Sequence, residues 1–239
     1  MWDFYNRTIN EIPDELDVYV DFIYVGQTWT MVCAGKYCGV AVTVNEQDGP
    51  LRDFTYLYGR PLKEVAALCK SWDFMEASVG TAALNAYINS TEQVTRKGCV
   101  PTANGFDDYK AVASGRKVAI IGHFVKLERF LTDSDVYVLE RKPVPGDYPD
   151  SACEYLLPEM DFTIITGSAF INKTLPRLLQ LSRHAVILGP STPMSRSILD
   201  YGAKELSGYS PRSMTKKDAA VICNGNTHLS PYGERIKLV

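Results

Sequence analysis

Four six-residue runs constrain this chain more than anything else in it: Lys117–Gly122, Asp135–Glu140, Asp161–Thr166 and His184–Gly189. Their interiors are apolar on both alternating faces, as in Val118-Ala119-Ile120-Ile121 and Ala185-Val186-Ile187-Leu188. A half-exposed strand alternates apolar and polar residues. A run apolar on both faces must be covered on both, which is the situation of a parallel strand with helices on each side. Helical stretches, Tyr148–Leu157 and Leu175–Ser182, lie between the runs. The alternation predicts a doubly wound, mainly parallel α/β sheet over residues 106–239.

Residues 1–105 have another texture. Val18–Val25, Trp29–Cys33 and Val40–Val44 read as strands, the last two separated by the turn region Ala34-Gly35-Lys36. Gaps this short favour antiparallel pairing. From Pro61 the period becomes helical, with Leu62, Val65, Ala66 and Cys69, then Val79, Ala82, Ala83, Ala86 and Tyr87. A smaller α+β unit is therefore expected to precede the α/β unit, and 239 residues suffice for both.

Composition removes several function classes. With 46% hydrophobic and 22% charged residues the chain can bury a core, which disordered chains cannot. A net charge of -3 argues against a general nucleic-acid binder. Residues 1–50 sum to -6 and the rest to +3, which reads as a solvated acidic surface. No apolar run approaches the roughly 18 residues needed to cross a bilayer. The start Met1-Trp2-Asp3-Phe4 lacks the pattern of a secretory signal, so a cytoplasmic location is expected. The six cysteines are scattered, with Cys33 and Cys38 the one close pair and no CxxC to build a zinc site. In a reducing cytoplasm they are expected as free thiols that behave as small core hydrophobes.

Open parallel sheets bind ligands beyond the carboxyl ends of their strands. Here those ends read Gly122-His123-Phe124, Glu140-Arg141, Thr166-Gly167-Ser168 and Gly189-Pro190-Ser191-Thr192. Glycine lets backbone approach a ligand, and Ser or Thr offers a hydroxyl while capping the next helix. Glu140 follows Gly122 by 18 residues, close to the offset of about 20 for a ribose-binding acid. The first turn, however, holds one glycine instead of G-x-G-x-x-G, and His123 and Phe124 stand where a pyrophosphate needs bare backbone. Ordinary NAD or FAD binding is disfavoured on that ground, and the lack of G-x-x-x-x-G-K-[ST] excludes a P-loop for ATP or GTP.

His123 and Glu140 fall on neighbouring strand tips, where they can ligate a divalent or heavy-metal ion or act as an acid–base pair. The alternative is simple strand-end hydrogen bonding, and two ligands fall short of a tight transition-metal site. His184 opens a strand at its amino end and reads as structural. Thr81, Asn85 and Asn89 form a polar stripe on an alanine-rich helix. An unpaired buried amide costs about 1–3 kcal/mol, so Asn85 needs a partner. It either bonds nearby backbone or faces the second unit and lines a pocket there, with Gly80, Ala82 and Ala83 permitting close approach.

The run Leu157-Pro158-Glu159-Met160-Asp161, followed by Ile164-Ile165-Thr166-Gly167-Ser168-Ala169-Phe170-Ile171-Asn172-Lys173-Thr174-Leu175, resembles the signature of domain of unknown function 364, a family labelled for heavy-metal chelation. Gly189-Pro190-Ser191-Thr192-Pro193-Met194 and Asp200-Tyr201-Gly202 match its next segments, giving coverage over about residues 107–211. Upstream, Val25-Gly26-Gln27-Thr28-Trp29-Thr30 and Ser78-Val79-Gly80-Thr81-Ala82-Ala83-Leu84-Asn85-Ala86 resemble its usual partner, domain of unknown function 4213. The resemblance implies an amino-terminal domain like that of enolase, without enolase's barrel, joined to a Rossmann-like domain with a site in the cleft between them. It brings no reaction with it.

The resulting expectation is a protein that binds a small polar or aromatic ligand, a metal chelator or a metal ion in that cleft. Phe124 would stack on the ligand. Ser168, Ser191 and Thr192 would hold its polar edges, with Asn85, Gly122, Thr166, Gly167, Gly189 and Pro190 lining the site. His123 and Glu140 would contact a cation or move a proton, the latter making the protein an enzyme. No nucleic-acid or membrane partner is expected, and the sequence leaves a homo-oligomer open.

Overall fold

The computed structural model describes residues 2–46, 49–102, 107–124, 132–225 and 228–239. The boundary expected between residues 105 and 106 lies outside them. The chain opens with helix α1 (Trp2–Ile9) and then builds a three-stranded antiparallel sheet from β1 (Phe22–Val25), β2 (Trp29–Ala34) and β3 (Tyr37–Val42). The β2–β3 hairpin turns tightly at Gly35, whose φ is +56°. Its register sets Cys33 directly opposite Cys38 with Cα atoms 4.2 Å apart, and the two are joined by a disulfide. Free thiols were expected there. Spacing alone does not reveal the pairing, because only the hairpin register brings the two sulfurs together.

Helix α2 (Leu62–Ala66) continues as a 3-10 turn through Lys70, and α3 (Phe74–Ile88) follows. Asp73 caps α3 by accepting the N–H groups of Met75 and Glu76. Nearly every residue of α3 is buried, the mark of a helix packed on all sides. The three-stranded sheet packs against one flank. A Cβ on Gly39 of β3 would lie 2.0 Å from the carbonyl oxygen of Ala82, so only glycine allows that contact. On another flank Gly80 packs as closely on the backbone of Leu68 and Cys69. The small residues of α3 thus serve neighbours within the amino-terminal part.

After α4 (Thr91–Lys97), capped by Ser90, an eight-stranded sheet is assembled. Its strands are β4 (Val100–Pro101), β5 (Lys117–Ile121), β6 (Asp135–Glu140), β7 (Tyr148–Pro149), β8 (Phe162–Thr166), β9 (Ala185–Leu188), β10 (Ala203–Pro211) and β11 (Gly233–Leu238). They lie in the order β4-β11-β10-β9-β8-β5-β6-β7. All neighbours from β10 to β7 are parallel, whereas β11 runs antiparallel to both β10 and β4. The four apolar runs are β5, β6, β8 and β9, and their inner residues are largely buried. The intervening helices are α5 (Asp107–Ala113), α6 (Cys153–Leu156), α7 (Ser168–Ile171), α8 (Leu175–Leu181), α9 (Arg196–Asp200) and α10 (Lys216–Cys223).

One expected helix, Tyr148–Leu157, is mostly something else. Its first two residues form the edge strand β7, and only Cys153–Leu156 is α-helical between 3-10 turns. Pro149 accounts for the start, since a residue before proline is driven to extended backbone.

The strand order defines a switch point. From β5 the chain builds outward through β6 to β7, then returns to the other side of β5 for β8, β9 and β10. The crevice where ligands enter such sheets therefore opens between the carboxyl ends of β5 and β8. Gly122 ends β5 with a φ of +98°, and a Cβ there would meet Thr166 Cγ2 at 2.9 Å. Among the described residues no helix is long and apolar enough to cross a membrane.

Candidate functional site

A hollow of about 530 Å3 opens at this switch point. The tips of β5, β6 and β8 supply Gly122, His123, Phe124, Glu140 and Thr166. The starts of α6, α7 and α8 close its other walls, with Cys153, Ser168, Asn172 and Thr174 among their contributions. Six of the sequence-derived candidates thus meet in one place: Gly122, His123, Phe124, Glu140, Thr166 and Ser168.

Within that hollow the polar groups are already organised. Asp147, in the turn after β6, is almost withdrawn from water with a side-chain exposure of 6%. Its Oδ2 lies 3.1 Å from His123 Nδ1 and also accepts the N–H of Val144 at 3.2 Å. The imidazole is thereby held by one nitrogen while 43% of the side chain remains exposed. A carboxylate that fixes the ring by Nδ1 leaves Nε2 to face a ligand. In the sequence Pro145-Gly146-Asp147 signals a bend and not a partner for His123.

Glu140 does less than expected for a ligand-binding acid. Its Oε2 accepts the N–H of His123 at 2.8 Å, and its Oε1 accepts the N–H of Arg141 at 2.7 Å. The carboxylate therefore clips the tip of β6 to the tip of β5. His123 and Glu140 are adjacent, but through the backbone of one and the side chain of the other. Next along, Arg141 pairs with Glu46 from the amino-terminal part and lies near Asp150.

At the tip of β8 the hydroxyls of Thr166 and Ser168 are 3.0 Å apart. Asn172 Oδ1 accepts both the N–H and the hydroxyl of Thr174, fixing the entry to α8. Arg177 is bound to Glu154 through two hydrogen bonds. Cys153 is buried, and desolvation pushes its thiol up to about 11, so it keeps its proton at neutral pH.

The remaining candidates lie elsewhere. Gly189 and Pro190, at the tip of β9, line a second hollow of about 570 Å3 with Trp29, Tyr209, His228 and Arg235. Phe124 borders both hollows. Asn85, Ser191 and Thr192 are buried where the amino-terminal part packs on the turn after β9. Asn85 Nδ2 donates to the carbonyls of Val40 and Ser191, and the Val42 N–H donates to Ser191 Oγ. Gly167 leaves room for Thr192, whose backbone nitrogen and hydroxyl would each sit 2.7 Å from a Cβ at that position. The expected single hollow ringed by four tips is thus two hollows separated by a packed seam. The cause is the β3–α3 face, which inserts hydrogen-bonding groups against the turn after β9. His184 stacks on Phe162 at 5.1 Å, and burial lowers its pKa.

The donor set does not fit a resident metal. Among the described residues no three His, Cys, Asp or Glu side chains gather around one point. Glu140 spends both oxygens on backbone N–H groups, and His123 spends Nδ1 on Asp147.

Comparison with known proteins places this geometry in a family context. The model of domain of unknown function 364, described as "Putative heavy-metal chelation", matches residues 105–236. That of domain of unknown function 4213, with the same description, matches residues 5–88. An uncharacterized protein of Methanocaldococcus jannaschii is 31% identical over 170 residues, which cover 65% of this chain and 62% of that relative's length. The crystal structure of a protein of unknown function from the first family, from Desulfitobacterium hafniense, superposes with a TM-score of 0.90 at 33% identity. It covers 100% of this chain and 98% of its own. A further family member from Pyrococcus horikoshii gives a TM-score of 0.81 at 20% identity over 98% and 97% of the two chains, a likeness of fold.

Proposed function

The chain belongs to the family of domain of unknown function 364, and from that premise we propose that it binds a small, polar-edged molecule in the switch-point hollow. The observation that carries the reading is the Asp147-held imidazole of His123 at the wall of a hollow formed by three strand tips. A structural histidine at a strand end has no need of a withdrawn carboxylate to aim it. The hydroxyls of Thr166 and Ser168 supply further polar contacts, and Phe124 offers a ring at the rim.

Metal enters this reading as cargo. A chelating molecule with several oxygen or nitrogen donors would occupy the hollow through its polar edges and bring the ion with it. That reconciles the family's description with a donor set too sparse to hold a bare ion. A second reading, catalysis, is favoured by the same dyad: an imidazole oriented by a carboxylate is the usual arrangement of a general base.

Native mass spectrometry and elemental analysis of the purified protein test the proposal. An organic molecule retained near one per chain is expected, with any metal in proportion to it, and Ser168→Phe is expected to abolish retention. Metal bound one per chain with no organic component would overturn it. Consumption of the retained molecule by the protein would identify the second reading as the operative one.

A further inference from the structure

The second hollow, of about 570 Å3, has no part in that reading, yet its walls combine a broad apolar surface with a single cation. Trp29, Phe124, Leu188, Pro190, Tyr209 and Leu229 supply the apolar part. Among the described residues that line it there is no Asp or Glu, and Arg235 is the one Lys or Arg.

Strand register brings Arg235 to this hollow. It lies directly opposite Tyr209, and Gly233 lies opposite Pro211. Opposed residues, and residues two apart on one strand, project from the same face of a sheet. A Cβ on Gly233 would meet the Tyr209 ring at 2.6 Å, so the ring lies over that face of β11. Tyr209 Oη donates to the carbonyl of Leu229 at 2.7 Å, which fixes the ring and that wall together. The Arg235 side chain therefore leaves β11 beside the Tyr209 ring, on the face where Ser207, Tyr209 and Gly233 line the hollow. Pairing around it leaves its guanidinium unanswered. Arg212 takes Glu234 at 3.5 Å, and Lys237 takes Asp108 and Glu205 at 3.6 and 3.7 Å. No carboxylate of the described residues lies at such a distance from Arg235.

We propose that this second hollow is a binding site for an aromatic carboxylate, its ring against the apolar wall and its carboxylate on Arg235. A guanidinium presents a planar fork that a carboxylate meets with two parallel hydrogen bonds. A wall without acids leaves nothing to repel the anion. A bare inorganic anion would leave the apolar wall in water, and an uncharged aromatic molecule would leave the guanidinium unanswered. Only a molecule with both parts uses the whole hollow, whose volume is within the usual range of small-molecule sites. The site is separate from the switch-point hollow and does not depend on the reading given to it, although Phe124 borders both.

The test is calorimetric titration of the full-length protein with 2-naphthoate, with uncharged 2-naphthamide and with inorganic phosphate. Naphthoate is expected to bind once per chain, and naphthamide at least about tenfold more weakly. Arg235→Gln is expected to weaken naphthoate by about ten- to a hundredfold, and Arg235→Lys to restore part of that loss. Arg235 is exposed, so both variants keep the fold. No naphthoate binding up to about 5 mM, equal affinity for the amide, or unchanged affinity in Arg235→Gln would each overturn the proposal. So would displacement of naphthoate by equimolar phosphate, which marks a bare anion site. Ser168→Phe, which fills the switch-point hollow, is expected to leave naphthoate binding in place. Its loss there would assign the naphthoate to the first hollow and end this proposal while leaving the earlier reading standing.

Discussion

Asp147 shows how much of the site depends on one carboxylate kept from water. It accepts from both the Val144 N–H and the His123 ring, so its removal leaves a backbone donor without its acceptor and the imidazole free to turn. Val144 is exposed, so water takes up its donor at little cost, while the freed ring loses its aim. Asp147→Ala is therefore expected to lower stability by less than about 1 kcal/mol in urea unfolding and to weaken ligand retention by more than stability explains. Glu140, which holds only backbone, provides the contrast. Glu140→Gln keeps an acceptor for one N–H, so it is expected to leave retention nearly intact. Equal loss of retention in both variants would mean that the imidazole's orientation is immaterial.

At the scale of elements, α3 is the bolt between the two sheets. Asn89 donates to the carbonyls of Thr192 and Tyr209 and accepts the Met194 N–H at 2.8 Å. Asn89→Leu abandons all three groups in a buried seam, and a loss of about 2–4 kcal/mol is expected in chemical denaturation. A loss below about 1 kcal/mol would show that water replaces the amide. The need for partners on Asn85 and Asn89 is legible in the sequence, because an amide on a helix buried all round cannot stand alone. Which partners they take is not, since the answering carbonyls lie 45 to 120 residues away. The same asymmetry runs through the chain. Strands β5, β6, β8 and β9 are legible because residues apolar on both faces admit few other solutions. The seam that separates the two hollows, the Cys33–Cys38 pairing and the Asp147–His123 contact depend on register and on turns meeting in space, and no local pattern encodes them. Lys173 stands in plain view within Asn172-Lys173-Thr174, but its burial against the rings of Tyr5 and Phe74 is a property of the packed neighbourhood only.

Across the whole molecule the largest cluster of buried apolar residues runs from Phe4 to Leu238 and ties α1, α3 and one face of the large sheet together, with smaller clusters under β1–β3 and α10 and on the other face of the large sheet. Unfolding is accordingly expected as one transition, and its pH dependence follows from the groups that core desolvates. Lys173 falls from 10.5 to about 8, so between those values the unfolded chain binds more protons than the folded one and stability rises with pH. Lys97, also lowered by burial, acts in the same sense. The thiols oppose them. Cys69 and Cys223 rise from 9.0 to about 12 and Cys153 to about 11, so above pH 9 the unfolded chain sheds protons that the folded one keeps. Stability then falls as pH rises. Cys99, also raised by burial, adds to that fall, so the curve turns downward at alkaline pH. Lys173→Met removes this residue's share of the rising limb and leaves the thiols' contribution in place. Wild type measured against this variant by urea unfolding under reducing conditions is expected to gain about 2 kcal/mol from pH 7 to 10.5, after allowance for partial solvent screening. Parallel curves for the two proteins would mean that Lys173 is solvated as an ordinary lysine and carries no free amine at neutral pH.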